Sequence, residues 1–150
     1  MEITSQNLIK YSNYQEQFKR LDKALKNQFY LEAIFIEYAI IEDRTESILR
    51  YDDNAIKSSN FVSLDKKISK IKTIARERKS LPSRYFDDEF LDLIISWKNE
   101  RNRMIHALMK QLLATEELEH LAFQGKNIAK ILCSKSTNYK RALERRNKIK

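Results

Sequence analysis

The stretch WKNERNRMIHAL, residues 97–108, sets Arg101 and His106 five places apart with Asn102 directly after the arginine. These are side chains suited to phosphodiester chemistry. An imidazole titrates near neutrality and can take the proton of a ribose 2′-OH or return one to a leaving oxygen. A guanidinium gives paired, charge-assisted hydrogen bonds to a phosphate as charge accumulates on it. Attack by a neighbouring 2′-OH leaves a cyclic phosphate and needs no metal.

Both residues belong to one amphipathic pattern. Phe90, Ile94, Trp97, Arg101, Ile105, Leu108 and Leu112 recur in steps of three and four, the spacing of a single helix face. Arg101 therefore stands on the seam that ought to be buried. An unpaired guanidinium there is costly, so the stripe predicts a carboxylate opposite it. Glu42 is the candidate, because the stripe Leu31, Phe35, Tyr38 steps onto it. His106 lies about 140° around the helix from Arg101, at 100° per residue. It aligns with Asn99, Asn102, Arg103 and Lys110 on a polar ridge beside the seam, which a long arginine can reach by snorkelling.

The elements that must position these groups are all helical. One glycine and one proline in 150 residues leave almost nothing to build tight hairpins. The periodicity predicts helices over residues 5–27, from about 31 to 50, from 64 to 75, from Asp87 or Asp88 to Leu112, and from a Thr115 cap to Leu132. Short links between long amphipathic helices give an all-α, up-and-down bundle of about five helices. The domain is expected over residues 1–133, with 134–150 a basic C-terminal extension that resumes a short helix or frays.

The charge is concentrated at that end. Residues 126–150 hold nine Lys or Arg against Glu144 alone, a surplus equal to the whole chain's +8. Clustered Lys and Arg gain free energy by releasing counterions from phosphates, so the asymmetry favours a polyanion, RNA first. Arg103, Lys110, Lys140, Arg141, Arg145 and Arg146 are the candidate RNA-binding side chains. The plainer reading is a solvated tail.

Other chemistry lacks residues. Cys133 is the sole cysteine and there are two histidines, so neither a disulfide nor a structural zinc site is expected, and no cofactor is implied. Gly125 stands alone, without a phosphate-cradling loop, and His120 has Thr115 five places before it. No apolar run reaches the roughly 18–20 residues of a bilayer span, and the start MEITSQN is unlike a signal peptide. The expectation is a soluble, cytoplasmic protein with no membrane partner. A membrane-surface role for residues 126–150 is weaker, because Ile128, Ile131 and Leu132 continue the bundle stripe.

With its helical setting, RNRMIH resembles the R-x4-H signature of the HEPN family, in which a polar residue often follows the arginine, as Asn102 does here. The likeness covers the helical layout of about residues 5–133, but its specific part is those six residues. It implies a HEPN-like bundle and a metal-independent endoribonuclease, often a toxin or antiviral defence effector, acting as a homodimer whose paired motifs share one cleft. It assigns His106 to proton transfer, Arg101 to the scissile phosphate and Asn102 to orienting either one. Glu42 as a support for Arg101 comes from the stripe, not from the family. An antitoxin or regulatory protein is the partner such enzymes often have. Where HEPN toxins paired with a nucleotidyltransferase carry a modified tyrosine, two places after the histidine, this chain has Leu108. The alternative is a non-catalytic helical module that binds RNA or dimerises as an adaptor, with Arg101 a buried ion-pair member.

Overall fold

The computed structural model describes residues 5–51, 62–77 and 81–149. Among these residues there are six helices and no strand: α1 (Ser5–Lys26), α2 (Tyr30–Arg50), α3 (Leu64–Glu77), α4 (Pro82–Tyr85), α5 (Asp88–Ala107) and α6 (Thr115–Lys148). The protein is an all-α helical bundle. No helix among the described residues is long and apolar enough to cross a membrane.

The most apolar helix, α2, is the central strut, packed against α6 most extensively and against α1 and α3 on its other sides. Its buried face runs Tyr30, Ile34, Glu37, Ile41, Thr45 and Ile48. This seam is rotated from the one expected through Leu31 and Phe35, both of which are exposed. The rotation follows from packing on three sides: a helix with apolar residues at almost every second position can bury either of two stripes, and its neighbours choose.

Helix directions follow from the contacts. Trp97 meets α6 at Leu121 and Lys135 lies over Phe90, so α5 and α6 are antiparallel. Asp65 pairs with Lys98, Lys72 with Asp92 and Arg76 with Asp88, so α3 is antiparallel to α5 as well. Gly125 abuts Glu37 and Lys140 covers Tyr51, so α2 and α6 are parallel. The up-and-down alternation is thus interrupted once, between α2 and α3, which run the same way.

Local sequence explains the helix ends. Asp87 caps α5 by accepting a bond from the Phe90 amide at 2.7 Å. Pro82 opens α4 from its first turn, where its missing N–H costs nothing. The turn from α1 to α2 closes with Phe29 N donating to Ala24 O at 2.8 Å and Gln28 N to Leu25 O at 3.2 Å. Gln28 takes the left-handed position there, φ 62°, a place that glycine usually fills. Thr115 is the first residue of α6 rather than its cap, a position taken by Ala114.

Two boundaries differ from the expected ones. α5 stops at Ala107 instead of continuing to Leu112, and the chain turns through residues 108–110. α6, by contrast, runs unbroken for 34 residues, straight through 133 and 134. Ser136 and Tyr139 are buried, and Tyr139 packs edge-on against Phe86 at 5.3 Å between ring centres. The first two turns beyond residue 133 are therefore bundle, held by an apolar contact that the surrounding lysines conceal in the sequence.

Where α2 and α6 cross, Gly125 admits Glu37 and Trp97 together. A Cβ at Gly125 would stand 2.7 Å from Trp97 Cζ2 and 2.8 Å from Glu37 Cδ. Gly125→Ala gains about 1 kcal/mol in helix propensity. Overpacking at a site walled by a buried indole costs about 1–3 kcal/mol, so the net change is expected to be destabilising. Urea denaturation of the variant checks this, with a lowered midpoint expected.

Candidate functional site

The Arg101 side chain is half-buried, as its seam position requires. Its guanidinium lies over the Tyr38 ring, 4.0 Å from the centre, and Nη1 donates to Asn102 Oδ1 at 3.0 Å. The expected partner Glu42 is elsewhere engaged, with Lys67 Nζ 3.8 Å away. An aromatic face on α2 thus takes the place of the carboxylate. Tyr38 and Glu42 share one face of α2 a turn apart, and Arg101 lies level with the ring while Glu42 stands nearer Lys67 of α3. Arg101 Nε is buried and has no hydrogen-bond partner. Burial pushes the Tyr38 phenol up from its ordinary value, with Glu42 adding to the rise and Arg101 opposing it.

His106 is exposed on the last turn of α5. The apolar residues around it are not in the core: Ile105 is 41% exposed, Leu108 36%, and Met109 and Leu112 fully so. The seam below Arg101 goes through Met104 instead. Early termination of α5 causes this, because the last turn has no helix opposite it to bury Leu108 and Leu112. Of the predicted catalytic set, Arg101 and Asn102 are in contact, and His106 stands apart on the surface.

The basic residues separate into three places. Arg103 folds back onto Glu100, its Nη2 at 2.5 Å, and Lys110 is exposed in the turn after α5. Arg141, Arg145 and Arg146 are exposed near the end of α6. Trp97 Nε1 donates to Leu121 O at 2.9 Å, which sets Arg101 and His106 level with the first turns of α6. From residue 118 to residue 145 that helix rises about 40 Å. Within one chain the basic end and His106 do not share a site.

Lys140 is different. It lines a groove of roughly 840 Å³ between α1, α2 and the middle of α6. Lys10, Lys19, Arg44 and Arg50 line it too, and Asp22, the one carboxylate among its described lining residues, is paired with Lys126 at 2.9 Å. The wall beneath is a polar cluster. Arg44 Nε donates to the Tyr14 hydroxyl at 2.7 Å, that hydroxyl donates to Asp43, and Lys10 Nζ lies 3.1 Å from Asp43 Oδ2. Burial alone would raise Asp43, but hydrogen bonds from Tyr14 and Lys10 and the charges of Lys10 and Arg44 hold it below its usual range. Burial also pushes the Cys133 thiol in this groove up to about 11. A half-buried thiol held protonated in this way is a slow nucleophile near neutral pH.

Sequence reasoning missed this groove, because its cations are spread over three helices and no local spacing joins them. Glu37 was missed as well, although stepping along α2 from Tyr30 and Ile34 lands on it. It is fully buried, with neither carboxylate oxygen hydrogen-bonded. Burial pushes it up to about 9, against the opposing charge of Lys126, so it is a neutral acid at pH 7.

Two outcomes are expected. Between the ordinary glutamate value of 4.5 and about 9, the unfolded chain releases the Glu37 proton and the folded chain keeps it. Stability should therefore fall as pH rises across that window, by up to about 1.4 kcal/mol per pH unit from this group. Urea midpoints from pH 5 to pH 9 should show the slope, and Glu37→Gln should flatten it. A double-mutant cycle of Tyr38→Leu with Arg101→Met should give a coupling of about 0.5–2 kcal/mol from the lost stacking.

The chain matches no protein-family model, no curated protein and no solved structure.

Proposed function

We propose that the protein is a metal-independent endoribonuclease of the HEPN kind, cleaving single-stranded RNA at a site completed by two copies of the chain. The observation that carries this reading is the end of α5. His106 is accessible there amid Ile105, Leu108, Met109 and Leu112, apolar side chains that stay exposed among the described helices. A second copy applied to that end would bury them, which is the usual fate of a contiguous apolar patch. It would also bring two His106 side chains to one place.

One His106 then takes the proton of the 2′-OH as its oxygen bonds to phosphorus. His106 of the partner subunit gives a proton to the 5′-oxygen as the P–O bond breaks. The products are a 2′,3′-cyclic phosphate and a 5′-hydroxyl. Arg101, braced on Tyr38 and steered by Asn102, supplies positive charge beside the reacting phosphate. A toxin or defence role, and control by a second protein, follow only from the resemblance of RNRMIH to that family's signature.

A second reading has its own observation. The Tyr38 stack and the buried Nε suit an arginine that fastens α5 to α2, and on this view the chain binds RNA without cutting it.

Incubation with a labelled single-stranded RNA in EDTA separates the two. Cleavage to cyclic-phosphate ends is expected, with His106→Ala lowering the rate at least about 100-fold, the scale of general acid–base catalysis. Because His106 is exposed, that variant should unfold at the parent's midpoint. Met109→Asp with Leu112→Asp should convert a dimer to a monomer by sedimentation and lower the rate with it. RNA bound but never cut by the parent protein would leave the binding module.

A further inference from the structure

We infer that the groove between α1, α2 and α6 is a binding site for single-stranded RNA, separate from the His106 end and independent of cleavage. Lys10, Lys19, Arg44, Arg50 and Lys140 face a space of roughly 840 Å³ where, among the described lining residues, the one carboxylate is Asp22, already paired with Lys126. The cations are fixed in place by the fold. Arg44 is held between the Tyr14 ring, 4.3 Å from its centre, and Asp43, while Arg50 is tied to Glu46 at 2.9 Å. Lys10 bridges Asp43 and the Ser47 hydroxyl at 2.9 Å. Lys19 is exposed and makes no ion pair among the described residues. An anion entering the groove therefore meets oriented positive charge with little rearrangement.

Aromatic surface in the same groove narrows the class of anion. Tyr11 is exposed, and Phe18 and Tyr51 are half-buried, on walls contributed by α1 and α2. Alternating cationic and aromatic side chains along a cleft are what unpaired nucleotides require: bases stack on the rings while the backbone follows the charge. A duplex keeps its bases stacked on one another and gains nothing from such rings. Lys10 and Lys19 are about 13.5 Å apart along α1, which suits a strand of a few nucleotides rather than one phosphate. Lys140 lies at the exit, and Arg141, Arg145 and Arg146 continue the charge along α6 toward its end. Of the basic C-terminal candidates, Lys140 is the one that lines this groove.

The test uses the full-length chain carrying His106→Ala, in EDTA, so that cleavage plays no part. Fluorescence anisotropy with a labelled oligouridine reports affinity. Lys19→Glu with Lys140→Glu should weaken binding at least tenfold, whereas Lys66→Glu with Lys70→Glu, an equal charge change on the exposed side of α3, should weaken it less than threefold. The groove pair should also lower the slope of log affinity on log salt by about 1.4, at 0.7 per lost phosphate contact. Cys133, the sole cysteine, lines the groove, so saturating oligouridine should slow its maleimide alkylation at least fivefold. Equal losses from the two charge reversals, an unchanged Cys133 rate with RNA bound, or equal displacement of RNA by polyglutamate would overturn the proposal. Cleavage by the chain with native His106 but no groove effect would leave the nuclease reading standing, and the converse would leave only the groove.

Discussion

The close crossing of α2 and α6 at Gly125 governs the rest of the molecule. Without a side chain at that position the two parallel helices approach near enough for Trp97 to lie over the gap and for Glu37 to be enclosed. Trp97 then reaches the Leu121 carbonyl, which fixes the height of α5 along α6. A glycine in mid-helix costs about 1 kcal/mol relative to alanine. The enclosed carboxyl adds a further cost, since neither oxygen finds a hydrogen bond and burial keeps it protonated. Both are offset by the apolar area that the crossing removes from water, from Ile34 and Ile41 on one side to Ile128 and Leu132 on the other.

The height of α5 has consequences for chemistry. It places Arg101 beside Tyr38, so the guanidinium loses water on one face and gains the ring's negative quadrupole there. At the end of α5 and in the turn that follows, His106 and four apolar neighbours are exposed together. Accessibility of the imidazole and the uncovered apolar surface share one place, the point where α5 ends and the chain turns.

At the opposite end, α6 outruns α5 and continues beside α2 and α4. Its cations there meet those of α1 and α2 across the groove, held apart by Asp43 and by the Tyr14 hydroxyl. Like charges converge at modest cost because each of the inner ones has a local acceptor, and the outer ones remain in water. The two ends of the bundle therefore differ in kind: one offers an imidazole among apolar side chains, the other a lattice of cations and rings.

Much was legible along the chain. The three- and four-residue spacing of apolar side chains, the near absence of glycine and proline, and the Asp87 cap determined the helices, and with them the fold class, because these are interactions between neighbours in sequence. The same spacing set Arg101 on a seam and His106 off it. What occupies the seam opposite was decided only by tertiary structure. α2 carries apolar residues on two adjoining stripes, and contact with α1, α3 and α6 chose the one through Glu37; the level of α5 then set Arg101 beside Tyr38, a turn away from Glu42. The end of α5 and the continuation of α6 past residue 133 were settled the same way, by whether a partner helix lies alongside. The cationic groove exists only after three distant segments pack, since charge repulsion and aromatic shape act through space and leave no periodic trace in the order of residues.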